Sequence, residues 1–216
     1  MKLGAIFDMD GTLVDTEKFF RDAWIETADE FGVERKPELA AAMSGSQRIK
    51  MPEILRRFHP TVDAEKYIER VYEQVAIRRE QGIELKTGAL EILEYFRAKK
   101  IPMAVASSST AAVVAKSLER VDIKKYFSVI IGGDEVSVGK PAPDIFLLAA
   151  EKIGVAAEDC YIFEDSFNGI RAAAAAKSAA IMVIDCVPPT DEIRALCSGV
   201  YENLNDALAA IREGGI

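Results

Sequence analysis

Leu3 to Phe7 is a continuous apolar run that stops at Asp8, the pattern of a short strand buried on both faces. From Glu17 to Arg79 the apolar residues recur at helical spacing instead. Phe19, Phe20, Ala23, Trp24, Ala28 and Phe31 form one stripe, and Tyr67, Ile68, Val71, Tyr72 and Val75 form another. No strand is predicted in that stretch. After Thr87-Gly88 the pattern alternates: helix to Lys99, strand Pro102 to Ala106, helix Thr110 to Glu119, strand Ser128 to Ile131, then helix Asp144 to Ile153 closed by Gly154. Strand Tyr161 to Phe163, helix Phe167 to Ala176 and strand Ala180 to Ile184 continue it. Alternating strands and helices predict βαβ units and a mostly parallel sheet covered on both faces. The chain therefore reads as an α/β protein: a doubly wound parallel-sheet core, residues 1–15 and 84–216, with an inserted all-helical domain over 16–83.

Half of the 216 residues are hydrophobic and 29% are charged, the balance of a compact globular protein. Thirty-five acidic residues against 27 basic ones give a net charge of −8, with no block of Lys and Arg, which argues against nucleic acid as a partner. An acidic chain that binds phosphate esters needs local positive charge from a metal or a few placed cations. No apolar stretch approaches the ~20 residues needed to cross a bilayer, so no membrane association is expected. The first apolar run is too short for a signal peptide. Cys160, Cys186 and Cys197 form no C-x-x-C, and their odd number suits reduced thiols. A soluble, cytoplasmic protein is the expectation; oligomeric state stays open, with a monomer compatible with all of this.

In open α/β sheets, ligands bind beyond the carboxyl ends of the strands. Four polar clusters follow apolar runs: Asp8-Met9-Asp10-Gly11-Thr12, Ser107-Ser108-Ser109, Lys140 before Pro141-Ala142-Pro143, and Glu164-Asp165-Ser166. They would meet at one sheet edge. Asp8 and Asp10, two residues apart, can face one crevice. With Glu164 and Asp165 they make four carboxylates whose repulsion calls for a hard cation such as Mg²⁺. Lys140 and the hydroxyls then suit an anion, as phosphoryl transfer requires. One carboxylate can serve as nucleophile and the second as acid and base. Taken singly, each cluster has a structural alternative as a helix cap or turn. Their conjunction favours chemistry.

The motifs Asp8-Met9-Asp10-Gly11-Thr12-Leu13-Val14-Asp15-Thr16, Ala106-Ser107-Ser108-Ser109, Gly139-Lys140-Pro141-Ala142-Pro143-Asp144-Ile145-Phe146 and Phe163-Glu164-Asp165-Ser166 resemble those of the haloacid dehalogenase superfamily, specifically its β-phosphoglucomutase-like phosphatases. The resemblance implies a Rossmann-like core with a helical cap and a magnesium-dependent phosphatase acting on small phosphorylated metabolites, sugar phosphates foremost. It implies Asp8 as nucleophile, Asp10 as acid/base and backbone metal ligand, and Ser107, Ser108 and Lys140 on the phosphate. Mg²⁺ would be held by Asp8, Asp10, Glu164 and Asp165, with Thr16 and Arg48 toward the substrate from the cap side.

Two alternatives accompany this reading: a sugar-phosphate mutase and a catalytically silent binding module. The mutase relatives typically carry a cap histidine where this chain has Phe20, and often a Lys where it has Thr110, so hydrolysis is expected. Without that histidine, Asp10 is expected to be free to activate water. The single histidine, His59, is expected to be a surface or packing residue. Arg48 suits a second phosphate or a carboxylate; Arg78 and Arg79 are further cap candidates for the substrate, although a charge pair on an amphipathic helix is expected on a solvated face. A phosphonate-cleaving reading would need a cap lysine, for which Lys50 is a weak candidate.

Overall fold

The structure is a computed structural model that describes every residue except Gly45 and Gln47. Strand β1 (Gly4–Phe7) leads into the helices α1 (Glu17–Glu30), α2 (Pro37–Met43), α3 (Met51–Phe58) and α4 (Ala64–Gln81). The alternating part follows as α5 (Ala89–Ala98), β2 (Met103–Ala106), α6 (Ala111–Arg120), β3 (Val129–Ile131), α7 (Asp144–Ile153) and β4 (Cys160–Glu164). It ends with α8 (Phe167–Ala175), β5 (Ala179–Val183), α9 (Asp191–Leu196), β6 (Gly199–Tyr201) and α10 (Leu204–Glu213). None of the described helices is long and apolar enough to cross a membrane.

All strand pairs are parallel, in the order β3-β2-β1-β4-β5-β6. The winding reverses at β1, so the crevice beyond the ends of β1, β2 and β4 is the switch point where such sheets bind ligands. Side chains alternate across the sheet. Ala5 and Phe7 face a core with Phe96, Tyr161 and Phe163, while Ile6 and Ile162 face Phe146 and the alanines of α8. Phe7 and Phe163 stack at 4.6 Å between ring centroids, which fixes β1 against β4 directly below the site.

The inserted helices pack around a core of their own that includes Trp24, Leu55, Tyr67 and Val71. Tyr67 donates to the Trp24 carbonyl at 2.9 Å and ties α4 to α1. His59 is buried against Tyr67, with ring centroids 6.0 Å apart, as the packing residue its sequence context suggested. Two crossings join insert and sheet side by side: Asp15 donates its N–H to the Glu84 carbonyl at 2.9 Å, and Lys86 donates to Leu13, also at 2.9 Å. Beside them, Glu80 near the end of α4 pairs with Lys116, at 2.7 Å, and with Arg120 of α6.

Candidate active site

Asp8 leaves β1 with its N–H bonded to the Phe163 carbonyl at 2.9 Å, so its side chain enters the crevice beside the end of β4. Lys140, 2% exposed, lies beneath it. Its ammonium donates to Asp8 Oδ1 at 2.6 Å, Glu164 Oε1 at 2.5 Å and the Ala106 carbonyl at 3.1 Å. Three acceptors use all three ammonium protons. Glu164 Oε2 accepts from the N–H groups of Asp165 and Ser166 and from the Ser166 hydroxyl, at 2.8 to 2.9 Å. Both Glu164 oxygens are thus occupied.

Burial pushes the Asp8 carboxyl up to about 8, with Glu164 and Asp10 adding to the rise and Lys140 opposing it. Burial pulls Lys140 down, but Asp8 and Glu164 outweigh it and hold the ammonium charged. Asp165 is raised well above its ordinary value by burial and then by the charges of Glu164, Glu17, Asp8 and Asp185. Glu17, at the start of α1, is driven to about 8 by burial and by Asp10, Asp185, Asp8 and Glu164. Negative charge is in excess here.

Gly11 makes this crowding possible. Its φ is +79°, a conformation that favours glycine, and a Cβ there would stand 2.3 Å from Asp165 Oδ2. The Asp-Met-Asp-Gly-Thr loop therefore has to carry glycine at this position to bring Asp165 against Asp8 and Asp10.

Asp10 is held from three sides. Thr16 Oγ1 donates to its Oδ1 at 2.5 Å, Ser109 Oγ donates to its Oδ2 at 3.1 Å, and the Arg79 guanidinium from α4 pairs with Oδ1. One expectation fails at this point: Arg79 is 7% exposed and turned inward rather than onto a solvated face, where it pairs with Asp10. The stem of α4 turns Arg79 toward the core while its neighbour Arg78 points outward to Glu26 at 2.6 Å, as expected of a solvated face. Phe20 lies under the Arg79 guanidinium, 5.8 Å from ring centroid to Cζ, and edge-on to Tyr72.

A cavity of about 160 Å³ opens over this floor, lined by Asp8, Asp10, Ser107, Ser108, Glu164 and Asp165 from the sheet side. Ser109 and Glu17 also line it. Neither was singled out from sequence as a site residue: Ser109 shared a triplet with two better candidates, and Glu17 looked like an ordinary first-turn acid of a helix. From the insert, Phe20, Trp24, Met43, Met51 and Tyr72 form a largely apolar wall. Arg48 is exposed, stacked on the outer face of Tyr72 at 4.5 Å, and is not part of that wall. Its sequence neighbours Gly45 and Gln47 lie outside the described residues.

Among the described residues, no three carboxylate, histidine or cysteine side chains close on one point as a ready-made metal cage. The donor set still fits a hard cation. Asp165 has no cationic partner among the described residues and accepts one long hydrogen bond, 3.4 Å from Thr12. It stands in a crevice whose other ligands are also oxygen.

Residues 5–183 match the family model described as haloacid dehalogenase-like hydrolase. The chain is 32% identical over 212 residues to a phosphorylated carbohydrates phosphatase of Thermotoga maritima, covering 98% of this chain and 91% of that protein. It is 32% identical over 181 residues to the fructose-1-phosphate phosphatase YqaB of Escherichia coli, covering 83% and 95%. Its fold matches a crystal structure of β-phosphoglucomutase from Clostridium difficile with a TM-score of 0.84 at 20% identity, over 100% of this chain and 97% of that one.

Proposed function

The chain belongs to the haloacid dehalogenase-like hydrolases, and on that premise we propose that it is a magnesium-dependent phosphatase that removes phosphate from small phosphorylated carbohydrates through an aspartyl-phosphate on Asp8. The carrying observation is the Asp8–Lys140–Glu164 chain beside a separately held Asp10 in one cavity. Relatives named as phosphatases of phosphorylated carbohydrates support the substrate class.

Asp8, the Asp10 backbone, Glu164 and Asp165 are the residues that would hold Mg²⁺. When bound, it supplies charge neutralisation for the phosphate oxygens and for the crowded carboxylates. Lys140 holds Oδ1 of Asp8, leaving Oδ2 to attack phosphorus as the ester P–O bond breaks. Asp10 gives its proton to the departing alkoxide, then takes a proton from the water that attacks the aspartyl-phosphate, so inorganic phosphate leaves and both carboxyls return to their starting state. Ser107 and Ser108 present hydroxyl and N–H donors to the phosphate, while Ser109 donates its hydroxyl to Asp10.

The test is a screen of purified protein with magnesium against hexose phosphates, phosphoglycolate and nucleoside monophosphates, run in ¹⁸O-water. Label in released phosphate with no isomerised sugar phosphate supports hydrolysis. Conversion of β-glucose 1-phosphate to glucose 6-phosphate faster than phosphate release would establish the mutase reading instead.

A further inference from the structure

The Asp10 carboxylate has more donors than an acid/base needs, and one of them comes from the inserted helices. Oδ1 accepts from both the Thr16 hydroxyl and the Arg79 guanidinium, which uses its two lone-pair directions. Among the described residues, Oδ2 accepts only from Ser109. One acceptor position therefore stays open, on Oδ2, and Asp10 lines the cavity. Arg79 adds the one charged constraint to the two hydroxyls that hold the carboxyl against rotation about χ2, a broad and soft torsion.

Arg79 is itself fixed from several directions. Its Nη1 is 3.5 Å from Ser117 Oγ on α6, and its carbonyl accepts from Arg120 at 2.5 Å. Glu80 next to it is paired with Lys116 and Arg120. Phe20 of α1 lies under the guanidinium. The side chain thus stands where α1 and α4 of the insert meet α6 of the core, five residues before the crossing at Glu84. Its buried Nε has no partner among the described residues, an unfavourable feature that packing alone would remove by substituting an apolar residue.

We propose that Arg79 is the positioning residue for Asp10, tying the catalytic carboxyl to the inserted helices so that acid/base catalysis depends on their being seated on the core. The inference rests on the phosphatase reading for its catalytic consequence. Its structural half, that Arg79 and Asp10 act as one unit, does not.

The experiment is a double-mutant cycle of Arg79→Ala and Asp10→Ala, with Arg79→Lys as the variant that keeps the charge. Single-turnover release of the leaving group is measured for an alkyl phosphate, whose alkoxide needs a proton, and for 4-nitrophenyl phosphate, whose phenolate does not. Thermal melting of all variants is recorded in parallel. The expected result is that Arg79→Ala slows alcohol release about 10²-fold, the scale of misaligned acid catalysis. Nitrophenolate release should fall less than about tenfold, with KM little changed and Arg79→Lys intermediate. In the Asp10→Ala background, Arg79→Ala should cost no more than about twofold, and its effect on melting should shrink likewise.

Equal losses for both leaving groups, or the same loss with and without Asp10, would overturn the inference in an active enzyme. A rise in KM alone would overturn it too, by making Arg79 a substrate contact. A wild-type protein inactive on every phosphate ester, with the melting cycle still non-additive, would overturn the phosphatase reading while leaving Arg79 bound to Asp10 as the structure shows.

Discussion

Replacing Lys140 by Met keeps the apolar stem and removes the charge that three buried acceptors share. The ammonium lies 2.6 Å from Asp8 and 2.5 Å from Glu164, both nearly excluded from solvent. Removing one partner of a buried ion pair costs about 3–5 kcal/mol, because the remaining charge has neither water nor counter-ion. Here Glu164 loses its buried counter-ion and the Ala106 carbonyl its donor, so the upper part of that range applies in metal-free protein. For a chain of this size each kcal/mol moves Tm by ~2–4 °C, which puts the fall at roughly 8–20 °C. Asp8 is already raised to about 8 with the lysine in place. Without it the carboxyl rises further and stays protonated, and a protonated carboxyl is a poor nucleophile.

The variant should therefore show two opposite pH trends. Its activity climbs as pH rises, since alkali restores the Asp8 carboxylate. Its stability in EDTA falls over the same range, since the folded state holds protons that the unfolded chain has already lost. Melting curves by circular dichroism from pH 5 to 8, with and without magnesium, paired with phosphate release at each pH, measure both. A melting temperature within about 2 °C of wild type at pH 8 in EDTA would refute the reasoning, because Lys140 would then not be neutralising buried charge.

Three further outcomes are expected. Asp8→Asn abolishes turnover and leaves circular dichroism unchanged, since the amide keeps the shape without the nucleophile; near-normal phosphate release by that variant removes Asp8 from the mechanism. Wild-type protein in EDTA becomes less stable from pH 5 to pH 8, because Asp8 and Glu17, both near 8 when folded, hold protons that the unfolded chain has lost. One such group contributes about 4 kcal/mol over that window, against a smaller opposite trend from His59, whose value burial lowers; a flat or rising Tm contradicts it, and added magnesium should flatten the curve. Arg48→Ala costs less than about 1 kcal/mol of stability, the scale of an exposed cation–π contact, and raises KM for substrates with a distal anionic group more than for an aryl phosphate. Equal KM values before and after mutation would mean that Arg48 only covers Tyr72.

The centre of the sheet was legible because β1, β2, β4 and β5 are buried along their whole length. A run such as Tyr161-Ile162-Phe163 has no solvent side to interrupt it. β6 was not predicted, because Gly199–Tyr201 is a three-residue edge strand with every residue half-exposed, and neither period 2 nor a solid apolar run can be read from so short a stretch. The site divides in the same way. Asp8, Asp10, Lys140, Glu164 and Asp165 stand at strand ends or just before helices, where backbone geometry dictates their aim. Arg79 sits inside an 18-residue helix beside a second arginine. Which of the two turns inward depends on how α4 rolls against α1 and α6, a tertiary fact that helical period alone does not specify. The partnerless Nε and the Phe20 face beneath it are visible only in three dimensions.

That division has a chemical consequence. The floor of the cavity is made of charged groups linked to one another, so a change at Lys140 reaches Asp8 and Glu164 at once, and losses there should be large and non-additive. The wall above it, Phe20, Trp24, Met43, Met51 and Tyr72, contributes area and shape. A methylene more or less in such a wall is worth only about 1–3 kcal/mol of discrimination. Substrate preference can therefore drift through the inserted helices while the phosphoryl-transfer floor stays intact. Phe20 and Tyr72 are the exceptions, because they touch Arg79 and Arg48 as well as the cavity. Changes at these two aromatics should move kcat together with KM, whereas changes at Met43 or Met51 should move KM alone.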